Sequence, residues 1–330
     1  MEKIIVTGSC GFIGFNYIKS LDENHEIIGI DSLNNAYDPK LKELRLEQLR
    51  KISNFKFLKI DLSEKSEIEK NKKYLEGAKT IVHLGARAGV RQSYLEPEKY
   101  IRDNTSATVN LALTAKTLGI KNIILASTSS IYGDTGNNQA TENKDELSEP
   151  PSIYAATKGF GETLIKSVFS EESELLKIGR FFTVYGPYGR PDMSILRFVH
   201  WIATNEEVII YGDGQQRRSF TYVMDIVDGL NKLKHYNKSD TFNFGSNTTW
   251  SLIEIVNKIE NYLGKKANLV FKERAFRDVD VVLPNLNNSK DKLDWEPLTN
   301  IDEGLKKTID WYKNNESYLE KIKFKYDYEK

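Results

Sequence analysis

The sequence predicts a doubly wound α/β protein, a parallel sheet wrapped by helices, with a smaller C-terminal lobe. Three observations predict it. Short apolar runs at 4–6, 26–30, 55–60, 80–84, 122–126 and 176–182 alternate with polar or helical segments, the order that builds a parallel sheet. Several of these runs are apolar at consecutive positions rather than at every second one, as in strands covered on both faces. After residue 182 the alternation loses its regularity, which divides a first lobe, 1–182, from a second, 183–330.

The first run leads into Gly8-Ser9-Cys10-Gly11-Phe12-Ile13-Gly14 and a helical pattern over 12–21. Glycines lack Cβ, so the turn can be tight and a pyrophosphate can approach the helix N-terminus. Asp31 ends the second run, seventeen residues after Gly14. A carboxylate there accepts both ribose hydroxyls and repels a 2′-phosphate, which favours NAD over NADP. Asp61, closing the third run, is a second candidate contact, to adenine. Residues 97–118 read as one long helix, with Tyr100, Ile101, Val109, Leu111, Ala112 and Leu113 among its apolar members.

The fifth run ends in Ser127-Thr128-Ser129-Ser130. Ligands bind outside the carboxyl ends of strands in such sheets, so these hydroxyls stand where a substrate alcohol would be held. Residues 134–149 are polar, lack periodicity and read as a surface loop. Pro150-Pro151-Ser152 then opens a helix, with Ser152 a candidate N-cap. Tyr154 and Lys158 lie four residues apart on one face of it. An ammonium beside a phenol stabilises the phenolate, so the Tyr154 pKa is expected to fall towards neutral and the phenolate to act as a base. In the second lobe 208–211 and 268–272 read as strands and 252–263 and 301–312 as helices. A segment at about 220–248 is expected to return to the main sheet.

Lys+Arg and Asp+Glu both number 47, which argues against a general electrostatic affinity for nucleic acid or an anionic membrane. No apolar run approaches the roughly 18–20 residues that span a bilayer. The apolar run from Ile4 leaves no room for a signal peptide, and Cys10 is the single cysteine, so no disulfide can form within the chain. A cytoplasmic protein is the expectation. No metal site is assigned, and Cys10 is given no chemistry.

The glycine spacing, the hydroxyl cluster and the Tyr-x-x-x-Lys stand in the order and separations of the extended short-chain dehydrogenase/reductases, and the chain resembles that family over nearly its whole length. The resemblance implies a Rossmann sheet over 1–182 that holds NAD through Gly8, Gly11, Phe12, Ile13, Gly14, Asp31, Asp61, Leu62 and Leu84. It makes Tyr154 the acid/base and Lys158 its pKa-lowering partner on the nicotinamide ribose. Thr128 would orient the reacting hydroxyl, and Asn104 would be a supporting group. The stretches around Thr183, Arg218 and 276–281 resemble the sugar-nucleotide branch, which implies Arg218 and Arg277 on phosphate and Asp280 on a nucleoside ribose. Guanidinium forks match phosphate oxygens.

Three stretches, 34–39, 88–93 and 185–193, resemble the UDP-glucuronate 4-epimerases of that branch. They imply a UDP-sugar substrate contacted by Arg91, Ser129, Ser130, Thr183, Arg190 and Tyr211, with Arg190 on a sugar carboxylate. The implied reaction is 4-epimerisation of UDP-glucuronate to UDP-galacturonate through a 4-keto sugar, with NAD tightly bound and regenerated in each cycle. Related decarboxylases and dehydratases carry an acid where this chain has Ser130. UDP-glucuronate decarboxylation and 4-epimerisation of a neutral UDP-hexose or UDP-N-acetylhexosamine are the alternative activities, and a dinucleotide-sensing protein the alternative without turnover. Arg87 stands where a neutral residue is usual and would bind a more anionic sugar or pair with a neighbour. Apolar residues on 97–118 and on the Tyr154 helix imply a homodimer.

Overall fold

The computed structural model describes residues 1–136, 138–142, 149–171, 173–274 and 280–324. Strands β1 (Glu2–Thr7), β2 (His25–Asp31), β3 (Phe55–Lys59), β4 (Thr80–His83) and β5 (Asn122–Thr128) fall where the apolar runs predict them. Next come the two-residue β6 (Gln139–Ala140), β7 (Leu175–Phe181), β8 (Thr183–Tyr185), β9 (Glu207–Tyr211), β10 (Arg217–Tyr222) and β11 (Asp240–Phe244). The chain closes its strands with β12 (Thr249–Ser251), β13 (Asn268–Lys272) and β14 (Val281–Pro284).

Seven strands form the main sheet in the order β11-β7-β5-β4-β1-β2-β3. All its neighbours pair in parallel. The strand order reverses at β1 and β4, and that is where open sheets of this type bind ligands. Ile4, Ile5 and Val6 are all fully buried, which explains the consecutive apolar pattern. Ile4, Val6, Ile27 and Ile124 pack with α1 (Phe12–Ser20) and α2 (Lys40–Leu49). Ile5, Ile28, Ile81 and Ile123 pack with α3 (Lys65–Leu75) on the other face. Each such aliphatic side chain contributes about 1.5–3 kcal/mol by leaving water.

Helix α4 (Val90–Leu95) precedes the segment read as one long helix. That segment comprises α5 (Pro97–Tyr100), a π-helical turn at Ile101–Ser106 and α6 (Ala107–Thr117). The wide turn rotates Asn104 inward. Its Oδ1 accepts the Arg87 N–H at 2.7 Å, and its Nδ2 donates to the Arg87 carbonyl and to Thr157 Oγ1, both at 3.0 Å. Interruptions of this kind often sit at functional sites. The 134–149 segment is also more than a loop: β6 pairs with β14 through Gln139 and Ala140. Two residues are too few to show alternation in a sequence.

Helix α7 (Ile153–Val168) carries Tyr154 and Lys158, and the Ser152 hydroxyl caps it by accepting the Ala155 N–H. Behind it, Glu162 takes Arg180 Nε at 3.0 Å and Nη2 at 2.8 Å, and accepts the Ser127 hydroxyl. Arg180 Nη1 donates to Tyr132 Oη, which donates to Asn243 Oδ1 on β11. This buried chain ties α7, β5 and β7 to β11. The second lobe adds α8 (Ser194–Ala203) and α10 (Leu252–Leu263), while α9 (Val223–His235) returns to pack against α1. In this lobe β10 lies between β8, β12 and β14, and β9 pairs with β13.

Arg180→Met leaves the buried Glu162 carboxylate with only the Ser127 hydroxyl and Lys166 at 4.0 Å, which should cost up to about 3–5 kcal/mol. A clearly lowered thermal midpoint is expected; a midpoint within a degree of the parent would show that the pair does not hold α7.

Candidate active site

A cavity of about 420 Å³ opens at the carboxyl edge of the main sheet. Gly8, Gly11 and Gly14 form one wall at the start of α1. A Cβ at Gly14 would lie 2.2 Å from the Gly8 carbonyl oxygen, and one at Gly11 would lie 2.9 Å from it. Gly8 itself has φ +65° and abuts the backbone of Gly85. No side chain caps the N-terminus of α1, so its N–H groups face the cavity without a competing acceptor from the cap residue. Phe12 and Ile13 line the same wall.

Asp31, at the end of β2, accepts the Cys10 N–H at 3.1 Å and the Leu33 N–H at 2.8 Å. Lys42 stands 3.6 Å from it and donates to Asn34 Oδ1 at 2.9 Å. Asp61, Leu62 and Leu84 also line the cavity. Asp61 turns one oxygen to the Ser63 N–H and hydroxyl. Cys10 is buried and its thiol is pushed up to about 12 by burial and by Asp31.

Thr128, Ser129, Ser130, Tyr154, Lys158 and Thr183 meet along the cavity above β5. The Thr128 hydroxyl accepts the Ser130 N–H and lies 3.1 Å from Ser130 Oγ. The expected fall in the Tyr154 pKa is not what the structure shows. Burial pushes the phenol above its ordinary value, because the phenolate loses water; a hydrogen bond from Thr128 and the charge of Arg190 pull the other way. Burial also lowers Lys158, to about 8, against the charge of Glu162, which raises it. Next to this pair His83 is pushed down to about 3 by burial and by Lys158, so it is neutral. Its two nitrogens contact Thr7 Oγ1 at 2.7 Å and Thr108 Oγ1 at 3.0 Å.

Arg190 reaches the cavity, but its fork is already engaged. Nε donates to Asp192 Oδ1 at 2.9 Å, Nη2 bonds Asp192 Oδ2 as well as the Ala88 carbonyl, and Tyr37 lies under the guanidinium at 5.2 Å. Arg218 lines the cavity and donates to the carbonyls of Arg217 and Asp280. Arg91 and Tyr211 stack on each other at 4.1 Å outside the cavity lining. Asp280 is exposed, pairs with Arg274 and is not part of the lining; Arg277 lies outside the described residues.

Of the two readings of Arg87, pairing with a neighbour is the one observed. It is buried, with Nε 2.8 Å from Asp103 and Nη1 3.5 Å from Glu96. The sequence reading named the 34–39 stretch without a role for Tyr37 and passed over Lys42, both in the cavity wall, and Arg45 outside it. A signal was available in α2: Lys42 and Arg45 fall on the buried face with Leu41, Leu46 and Leu49.

A model of the NAD dependent epimerase/dehydratase family matches residues 4–245. An uncharacterised protein of Methanocaldococcus jannaschii is 40% identical over 96% of this chain and 98% of its own. The UDP-glucuronate 4-epimerase of Thermodesulfobacterium geofontis is 39% identical over 98% of this chain and 100% of its own. The crystal structure of UDP-glucuronic acid 4-epimerase from Bacillus cereus, in complex with UDP-glucuronic acid and NAD, aligns with a TM-score of 0.88 at 29% identity, over 94% of this chain and 99% of that one. The chain belongs to the NAD-dependent epimerase/dehydratase family.

Proposed function

We propose that the protein is an NAD-dependent 4-epimerase of UDP-glucuronate, forming UDP-galacturonate through a 4-keto sugar. The observation that carries this is the meeting of Thr128, Tyr154 and Lys158 in one cavity with the glycine turn and Arg190, while the end of β5 carries Ser129 and Ser130 and no acid. Relatives of 39% and 29% identity, a UDP-glucuronate 4-epimerase and a solved UDP-glucuronic acid 4-epimerase, support the substrate. The residues fit the cofactor: the turn is too tight for a Cβ at Gly11 or Gly14 and brings an uncapped helix N-terminus to the cavity, and the Asp31 carboxylate stands where ribose hydroxyls would be held. When bound, NAD supplies an acceptor for the C4 hydride that later returns it. Gly8, Gly11, Phe12, Ile13, Gly14, Asp61, Leu62 and Leu84 would surround it, with the lobe 1–182 plus about 220–248 as its domain. The rest of 183–330 would hold the sugar nucleotide.

In this reading Tyr154 takes the proton of the sugar 4-hydroxyl, which Thr128 orients, and returns it after the ketone has turned its other face. Lys158 brings a positive charge that opposes the burial holding the Tyr154 phenol protonated, and holds the nicotinamide ribose. Arg218 anchors the diphosphate, so the sugar can turn without leaving. The 4-keto form of a uronic acid is a β-keto acid, and it loses carbon dioxide when the carboxylate stands perpendicular to the carbonyl plane. Arg190, Ser129, Ser130 and Thr183 would hold it out of that alignment. The Arg190–Asp192 pair favours a second reading: a guanidinium already neutralised suits a neutral UDP-hexose.

The test is the product of UDP-glucuronate by NMR, with Tyr154→Phe as the inactive control: galacturonate, pentose or no change separates epimerase, decarboxylase and neither. Arg190→Ala should reduce kcat/KM for UDP-glucuronate at least about tenfold more than for UDP-glucose. Equal losses for the two sugars would favour the neutral substrate.

The pH dependence follows from Lys158. Its ammonium is present below about 8 and is lost as pH rises through that value. The kcat/KM should therefore fall above about pH 8. Lys158→Arg should move that limb up by at least about two pH units, because a guanidinium keeps its proton. A limb that stays in place belongs to another group.

Ile101 is 53% exposed and Leu113 49% on the Pro97–Thr117 segment, as is Phe160 at 53% on α7, against which α6 packs. We read this apolar surface as the contact of a homodimer. Among the described residues no helix is long and apolar enough to cross a membrane, which is compatible with action in the cytoplasm. A dimer is expected by sedimentation at micromolar protein, with Phe160→Glu shifting it to monomer. A parent protein that sediments as a monomer would overturn the dimer.

A further inference from the structure

Arg45 lies on α2, outside the cavity lining, and is fully buried. Its guanidinium is spent on neutral oxygens. Nη1 donates to the Cys10 carbonyl at 2.9 Å and to Tyr37 Oη at 2.6 Å; Nη2 donates to the carbonyls of Tyr188 at 2.7 Å and Gly189 at 3.0 Å. Nε has no partner. Burying a cation without an opposing charge is unfavourable unless its hydrogen bonds are well made, so the geometry of these four is informative.

The four acceptors belong to three segments: the glycine turn, the stretch after β2, and the loop that leads into Arg190. Two of them belong to residues that adjoin Arg190. Gly189 is its backbone neighbour, and the ring of Tyr37 lies 5.2 Å from its guanidinium. A third, the Tyr188 carbonyl, belongs to a residue with φ +61°, a conformation that bulky side chains rarely adopt and that needs outside support. The Tyr188 ring is wedged between Phe15 and Trp311, at 4.4 and 4.8 Å. The loop is thus packed from one side and hydrogen-bonded by Arg45 from the other.

We propose that Arg45 is a positioning residue for Arg190: it locks the loop before Arg190 onto the cofactor turn, and so controls whether the 4-keto sugar keeps its carboxylate. This rests on the reading of Arg190 as the group that holds that carboxylate. A planar fork can bond oxygens in three segments at once, which an ammonium cannot. With the fork removed, the loop that carries Arg190 and its partner Asp192 loses its tie to the glycine turn, and the sugar carboxylate can swing perpendicular to the ketone. Carbon dioxide then leaves by cleavage of the C5–C6 bond, whose electron pair passes to the 4-keto oxygen as an enolate. C5 takes a proton from water, giving a 4-ketopentose, and C4 takes back the hydride it lost while its oxygen takes back the proton held by Tyr154.

The experiment compares the parent, Arg45→Met and Arg45→Lys. Bound NAD is measured after denaturation, and UDP-galacturonate and UDP-pentose formed from UDP-glucuronate are quantified by NMR. The expected result is a pentose-to-galacturonate ratio raised about tenfold in Arg45→Met, with Arg45→Lys intermediate and NAD content within a factor of about two. A fall in turnover with the ratio unchanged would overturn the proposal and leave Arg45 as packing. Where Arg45→Met does not fold, Tyr37→Phe removes only the hydroxyl that Nη1 bonds; a raised ratio supports the proposal and an unchanged one overturns it. No conversion of UDP-glucuronate by the parent would overturn the substrate reading, and this proposal with it.

Discussion

All seven strands of the main sheet run the same way, and the rest of the molecule depends on that constraint. Parallel strands send every carboxyl end to one edge, so the loops after β1, β2, β4 and β5 emerge side by side. At the reversal of strand order the turns after β1 and β4 come into backbone contact, Gly8 against Gly85. The cavity is what this arrangement leaves open. Its walls join the ends of these strands to residues from α2, the π-turn, the Arg190 loop and the smaller sheet.

Within that cavity burial sets the chemistry as much as charge does. Taking water from Tyr154 favours the protonated phenol, and taking it from Lys158 favours the neutral amine. Each group is pushed towards its uncharged form, while Thr128 and Arg190 on one side and Glu162 on the other oppose the push. Burial prevails at both, so Tyr154 stands as a protonated phenol rather than a preformed phenolate. His83, neutral and placed between two threonine hydroxyls, adds no charge to the balance.

The main sheet, the glycine turn and the Tyr154 helix were legible because each is written in local spacing: an apolar run, a turn without Cβ, two groups four residues apart behind a serine cap. What was not legible depends on distance or on a single residue of geometry. The π-turn shifts Asn104 by the width of one extra residue, which no periodicity over 97–118 reveals. β6 is two residues long and exists only because β14 lies beside it. Asp192 sits two positions from Arg190, a spacing that carries no contact in a regular element but does in a loop. The direction of the Tyr154 pKa follows from how much protein surrounds it, and the buried cations of α2 are visible only once polar residues on an apolar stripe are treated as a signal.

The pairing of β6 with β14 bears on how such a protein can change. The chain passes from the main sheet to β6, back to β7, out through β8, β9 and β10, back again at β11, and out once more to β14. The smaller sheet, threaded this way, shares no single seam with the main one. It cannot be exchanged between relatives as one cassette, as a domain on a linker can. New sugar specificities must instead arise by replacing residues in loops whose ends the shared sheet already holds.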